Sequence, residues 1–219
     1  MTLAASAEDR PLVGGVVPEG LTVAFGAEPA EGATVVRFAG EERSSSELLV
    51  APRGESVWRC SPWPAADDLF DLAPPAAEGR TLVVDPQPRR RDEAGRLLRD
   101  QGIDAVPADR LRRHELEQAA TVLFLDDPGF PATLPAAAAA GRLVVVADVR
   151  PLFGWQDGVD CLVGARIADL VRLAAAADAR PRAFDALRAM ARITARSYRA
   201  SDVYARFALD LSLGVGVRS

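Results

Sequence analysis

The chain has 219 residues, 49% hydrophobic and 26% charged, ordinary globular values that exclude wholesale disorder and a collagen-like repeat. The formal charge of −5 excludes a protein that coats nucleic acid. All 26 basic residues are Arg, with no Lys and no Asn anywhere, which excludes a P-loop lysine, a Schiff-base lysine, an Asn metal ligand and N-glycosylation.

Residues 1–57 hold short apolar runs, Leu21 to Phe25, Thr34 to Phe38 and Glu47 to Val50, separated by Gly, Glu and Ser. Short runs of this kind between turn residues predict strands, so a small β-rich segment is expected here. Residues 58–78 read as a linker. Pro62, Pro64, Pro74 and Pro75 stiffen it, and Trp58 and Trp63 can pin it to a domain surface.

Residues 79–211 alternate between strand and helix signals, and 212–219 are left as a tail. Strands are predicted over 81–84, 103–106, 121–125, 143–147 and 160–163. Helices are predicted over 90–101 with Gly102 as the stop, 109–119 capped by Asp109, and 130–140 ended by Gly141. Three more are predicted over 167–177, 181–198 and 201–211. The strands are continuously apolar rather than alternating, the mark of a parallel sheet covered on both faces. The predicted fold class is therefore α/β: a Rossmann-like, doubly wound, mostly parallel sheet preceded by a small β-rich remnant.

In such a sheet, ligands sit where strands end at their carboxyl side. Three loops qualify. After Val84, the run Arg89, Arg90 and Arg91 opens a helix, where it can clamp a diphosphate or lie as a solvated face. No glycine-rich dinucleotide fingerprint accompanies it. After Leu125, the pair Asp126 and Asp127 can act as a base, bind a metal or cap the next helix. After Ala147, a loop rich in Gly and aromatics carries Phe153, Gly154, Trp155 and Gly158, and can form a ligand-facing lip or a packed surface.

His114 lies in a polar helix with no nucleophile near it in sequence, and reads as a surface residue. Cys60 and Cys161 lack a CxxC partner, and Cys161 reads as core. One His and two Cys are too few for a four-ligand His/Cys zinc site. No metal and no cofactor are expected. No run reaches the ~18 apolar residues of a membrane span. Glu8 and Asp9 near the start, with no basic stretch before an apolar run, argue against a signal peptide. The expectation is a cytoplasmic protein.

Several segments, in order, resemble a known family. Val57 to Phe70 looks like an interdomain linker. Pro128-Gly129-Phe130 through Ala136 to Gly141 runs along an E-G-F-x-x-x-x-x-E-A-x-A-x-G block, and the apolar strand 143–146 follows it. Gly158 to Val163 is similar to a G-x-[DN]-G/C-L-[LV] strand, and Arg196-Ser197-Tyr198 to an R-x-Y/F helix end. Together these cover about the last two thirds of the chain. They resemble the C-terminal, nucleotide-sugar-binding half of retaining glycosyltransferases of the two-Rossmann-domain (GT-B) type.

The resemblance implies a UDP- or GDP-sugar ligand. It also implies two Glu residues framing the block, one near the transferred sugar and one on the ribose hydroxyls. Here those positions hold Pro128 and Ala136. An Ala accepts no hydrogen bond, and losing a charge-assisted one costs about 1.5–3 kcal/mol. The family's basic pair on the diphosphate has no Lys here. One strand–helix unit between Gly102 and Thr121 is also lacking.

Two functions follow as expectations. The first is a catalytically degenerate binding or accessory module that pairs with itself or with a glycosyltransferase subunit. The alternative is a compact active glycosyltransferase that uses a nucleotide-sugar donor, with Asp126 or Asp127 replacing the missing Glu and a partner chain supplying the acceptor site. A receiver-like or flavodoxin-like domain, with Asp85 ending the first strand, is a third reading. It lacks the last-strand Lys of receivers.

Overall fold

Alternate residues of the apolar runs face opposite sides of one sheet, and both sides are covered. The strands are β6 (Arg80–Val84), β7 (Ala105–Ala108), β8 (Ala119–Phe124), β9 (Leu143–Ala147) and β10 (Leu162–Gly164). Leu82, Val84, Val122, Phe124, Val144 and Val146 belong to one hydrophobic core. Val83, Leu123, Leu143, Val145 and Leu162 belong to a second. A strand points successive side chains to opposite faces, so burial on both faces requires an unbroken apolar run. That is what the sequence presents.

The computed structural model describes residues 2–5, 15–16, 22–25, 35–38, 48–51, 58–60, 64–75, 79–125, 133–147 and 155–212. Among these residues, six α-helices follow in chain order: α1 (Pro88–Arg99), α2 (Arg113–Gln118), α3 (Leu134–Ala139), α4 (Ile167–Ala179), α5 (Asp185–Ala195) and α6 (Ala200–Ser212). Helices α1 and α4 supply Ala94, Leu98, Leu170, Val171 and Ala174 to the second core. Helices α3 and α5 and the short turn Asp67–Asp71 cover the other face, with Leu134, Ala191 and Leu69. The result is a Rossmann-like α/β unit.

Every neighbouring pair in this sheet is parallel, in the order β10-β9-β8-β6-β7. Numbered within the sheet, the order is 2-1-3-4-5, that of flavodoxin-like folds. It is also what remains when the third strand is removed from the 3-2-1-4-5-6 order. The chain leaves β6 toward β7 on one side and builds β8, β9 and β10 on the other. The topological switch point lies between β6 and β8.

Both predicted glycine stops are made as expected. Gly102 has φ of 79° and Gly141 has φ of 72°, left-handed values that a side chain strains. After each glycine, the next N–H turns back to the helix: Ile103 to Leu98 O at 3.1 Å and Arg142 to Ala137 O at 3.1 Å.

Several boundaries differ from expectation, among them the strand expected over 103–106, which lies at Ala105–Ala108, and three of the shifts have a local cause. The helix expected from Asp109 starts at Arg113, because the Asp109 carboxylate takes the Arg112 guanidinium at 2.6 Å instead of capping backbone N–H groups. The single helix expected over 181–198 is flanked by 3₁₀ turns, Pro181–Phe184 and Arg196–Tyr198. Pro181 has no N–H to donate at the start. At the end, Ala65 N–H bonds Tyr198 O at 2.7 Å and Ala200 N–H bonds Ala65 O at 2.8 Å, which pulls the backbone out of helical register.

A second sheet comes first in the chain. It consists of β1 (Thr2–Ala5), β2 (Thr22–Phe25), β3 (Val35–Phe38), β4 (Leu48–Ala51) and β5 (Trp58–Cys60), in the order β2-β1-β3-β4-β5. β1 pairs parallel with β2 and β3, while β4 pairs antiparallel with β3 and β5. β1 carries no reading from the sequence, and β5 falls in the stretch read as linker.

Candidate functional site

The switch point is built around Asp85. This residue follows β6 directly, and its side chain is fully buried. Backbone bonds hold the strand ends: Asp85 N–H to Ala108 O at 3.1 Å and Leu125 N–H to Val84 O at 3.0 Å. The Asp85 carboxylate accepts the Gln87 N–H at 2.6 Å, at the residue just before α1. A carboxylate placed there also benefits from the positive end of the helix dipole.

Two of the three clustered arginines close on Asp85, one on its carboxylate and one on its backbone carbonyl. Arg90 Nε lies 3.2 Å from Asp85 Oδ2, and the same guanidinium donates to the Leu125 carbonyl at the end of β8. Arg91 Nη1 donates to the Asp85 carbonyl at 2.7 Å. Arg89 is exposed on the first turn of α1 and takes no part. Arg90 therefore spans the gap between β6 and β8. An anion entering this crevice would have to displace Asp85 and Leu125 from Arg90, and would meet the Asp85 charge as it did so.

The remaining expected site residues divide three ways. Asp126, Asp127, Phe153 and Gly154 lie outside the described residues. Trp155 is 6% exposed, and its indole Nε1 donates to Tyr198 Oη at 3.2 Å, with ring centroids 6.1 Å apart. It is an anchor in the core. Gly158, with φ of 73°, makes a tight turn closed by its N–H on Cys161 O at 2.8 Å. Asp160 stiffens this turn, accepting from Gln156 N at 2.7 Å and Thr194 Oγ1 at 2.9 Å.

Ala136, at the position of the family's second Glu, is 2% exposed within α3, whose residues are all buried. His114 is exposed on α2. Cys161 is buried, and burial pushes its thiol up to about 12, with the charges of Asp160 and Asp157 adding to the effect. Such a thiol is not a nucleophile at neutral pH.

The sequence reading singled out the arginines and missed Asp85 as the group that holds them. The available signal was an acidic residue closing an apolar strand one turn before a basic helix start. Among the described residues, no group of three or more His, Cys, Asp or Glu side chains could hold a metal ion. Among the same residues, no helix is long and apolar enough to cross a membrane.

No protein-family model matches the chain, and no curated protein matches it. Among solved structures, the chain is similar to the pneumococcal O-GlcNAc transferase GtfA in complex with UDP and GlcNAc. The identity is 14%, the TM-score 0.45, and the match covers 64% of this chain and 37% of that one. The chain thus spans little more than a third of that protein's length.

Proposed function

We infer that this chain is a glycosyltransferase-related Rossmann-type module that binds or assists and has no turnover of its own. The observation that carries the reading is the closure of the switch point by its own residues. Arg90, the best-placed cation for a donor diphosphate, is engaged by Asp85 and by the Leu125 carbonyl. Ala136 adds to this: it offers no acceptor for a ribose, and its burial leaves no room for one.

A module of this kind acts through company, either a second copy or a glycosyltransferase subunit. A donor-turnover assay with radiolabelled UDP- and GDP-sugars tests the reading. The expected result is neither hydrolysis nor transfer by the isolated chain. Turnover that Arg90→Ala abolishes would establish the active-enzyme alternative instead.

A further inference from the structure

Among the described residues, the opposite pole of the sheet carries an arginine cluster with more cations than carboxylates. Gly141 and Arg142 lead into β9 at its amino end, far from the carboxyl-end crevice. Against this entry lies a cavity of about 490 Å³, lined by Pro74, Pro75, Pro181, Arg182, Arg188 and Arg192, among others. Asp185 also lines it, but its carboxylate takes Arg188 Nη1 at 3.1 Å. The side chains of Arg182 and Arg192 have no hydrogen bond or ion pair among the described residues.

Arg142 makes the imbalance acute. It is 2% exposed, and neither its Nε nor its Nη1 has a hydrogen-bond partner. The buried Nε of Arg188 also lacks one. Burial, followed by the like charge of Arg192, holds the Arg142 guanidinium below its ordinary value. Glu117 opposes this from a distance, but its own carboxylate takes Arg113 Nε at 3.0 Å. Among the described residues, Asp185 is thus the one carboxylate lining a cavity that gathers Arg182, Arg188 and Arg192.

Buried guanidinium groups are retained where an anion completes them. Several forked donors converging on one space suit a phosphoryl group, whose oxygens can accept from more than one guanidinium at once. The cavity volume falls within the range of about 300–1,000 Å³ typical of small-molecule sites. Pro74, Pro75, Pro181 and Ala189 give the organic part of such a molecule an apolar wall.

We propose that the cavity between the β9 entry and the start of α5 binds the phosphoryl group of a small phosphorylated organic molecule. Arg182, Arg188 and Arg192 contact it, and Arg142 adds its charge from behind. This site is independent of the switch point.

Thermal denaturation at constant ionic strength tests the proposal, with sulfate, inorganic pyrophosphate and glucose 6-phosphate as probes. The wild-type chain should show a saturable rise in Tm with pyrophosphate and with glucose 6-phosphate, well below the concentration at which sulfate acts. Arg182→Gln combined with Arg192→Gln, both at solvent-accessible positions, should weaken the apparent affinity by at least about tenfold. Arg90→Gln should leave it unchanged. Arg142→Met should raise the Tm of the free protein and also lose the response. A response no stronger than sulfate's, or one that survives the paired Gln substitutions, would overturn the proposal. A response lost only with Arg90→Gln would move the anion to the switch point, and would overturn it equally.

Discussion

Arg90 Nε stands 3.2 Å from Asp85 Oδ2, across the point where the sheet reverses its winding order. The carboxylate is fully buried, and the guanidinium is about a quarter exposed. The pair closes the place where a doubly wound sheet ordinarily receives its ligand.

Breaking the pair on one side strands a charge on the other. Asp85→Asn should cost about 3 kcal/mol in urea denaturation, the lower end for a buried pair because Arg90 keeps some contact with water. Arg90→Met should cost a similar amount. The double variant should lose clearly less than the sum of the two, since it leaves no stranded charge. Additive losses would mean that the two residues do not stabilise each other.

Arg142→Met makes the reverse prediction. Removing a buried cation without a counter-ion while keeping its apolar stem should stabilise the free protein by about 1 kcal/mol, a Tm rise of roughly 2–4 °C. Differential scanning calorimetry reads this directly, and a fall in Tm would show that Arg142 has a stabilising partner.

Among the described residues, Gly15 and Val16 meet Asp67 and the start of α6. Asp67 accepts Ser201 N–H at 3.1 Å in the first turn of α6, and Val16 N–H at 3.2 Å. A side chain on Gly15 would come within 2.6 Å of Ala200 Cβ and 2.9 Å of Ser201 N. Asp67→Ala should cost about 1 kcal/mol, as for a lost helix cap. Gly15→Ala should increase proteolysis of the first sixty residues while leaving the parallel sheet's far-UV signal in place.

Cys161 links stability to alkaline pH. Its folded value is about 12, against 9.0 for an unperturbed thiol. The folded chain therefore holds its proton more tightly than the unfolded chain. The resulting stabilisation is complete below about pH 9 and is lost as pH rises toward 12. In a Cys60→Ser background, native Cys161 should resist iodoacetamide at pH 8 and react fully once denatured. Rapid labelling of the native chain would contradict its burial.

The parallel sheet was legible because both its faces are buried. The runs at 81–84, 121–125 and 143–147 needed no knowledge of their partners. Gly102 and Gly141 were legible because left-handed backbone selects glycine locally. What was not legible depends on distant pairing. β5 forms because Trp58–Cys60 lies beside Leu48–Val50, which its flanking prolines conceal. Trp155 resembled a ligand-facing aromatic until Tyr198, distant in sequence, accounted for its indole N–H. The arginines at 89–91 were visible, but their engagement by Asp85 was not, since charge composition does not reveal which charges are already paired. Arg142 was hidden for the same reason: only the fold sets it beside Arg188 and Arg192.

We propose that the switch point, closed by Arg90 and Asp85, takes no donor. Titrating UDP- and GDP-sugars to millimolar concentration while following Tm tests it most directly, with the wild-type chain, Arg90→Ala, and the paired Arg182→Gln and Arg192→Gln variant run side by side. No Tm rise that depends on Arg90 is expected; any response should disappear with the paired Gln substitutions. A ligand at a hundredfold excess over its dissociation constant stabilises by about 2.7 kcal/mol, so a real donor site would be plain to see. A saturable rise that Arg90→Ala abolishes and the paired substitutions leave intact would mean that the switch point binds a donor.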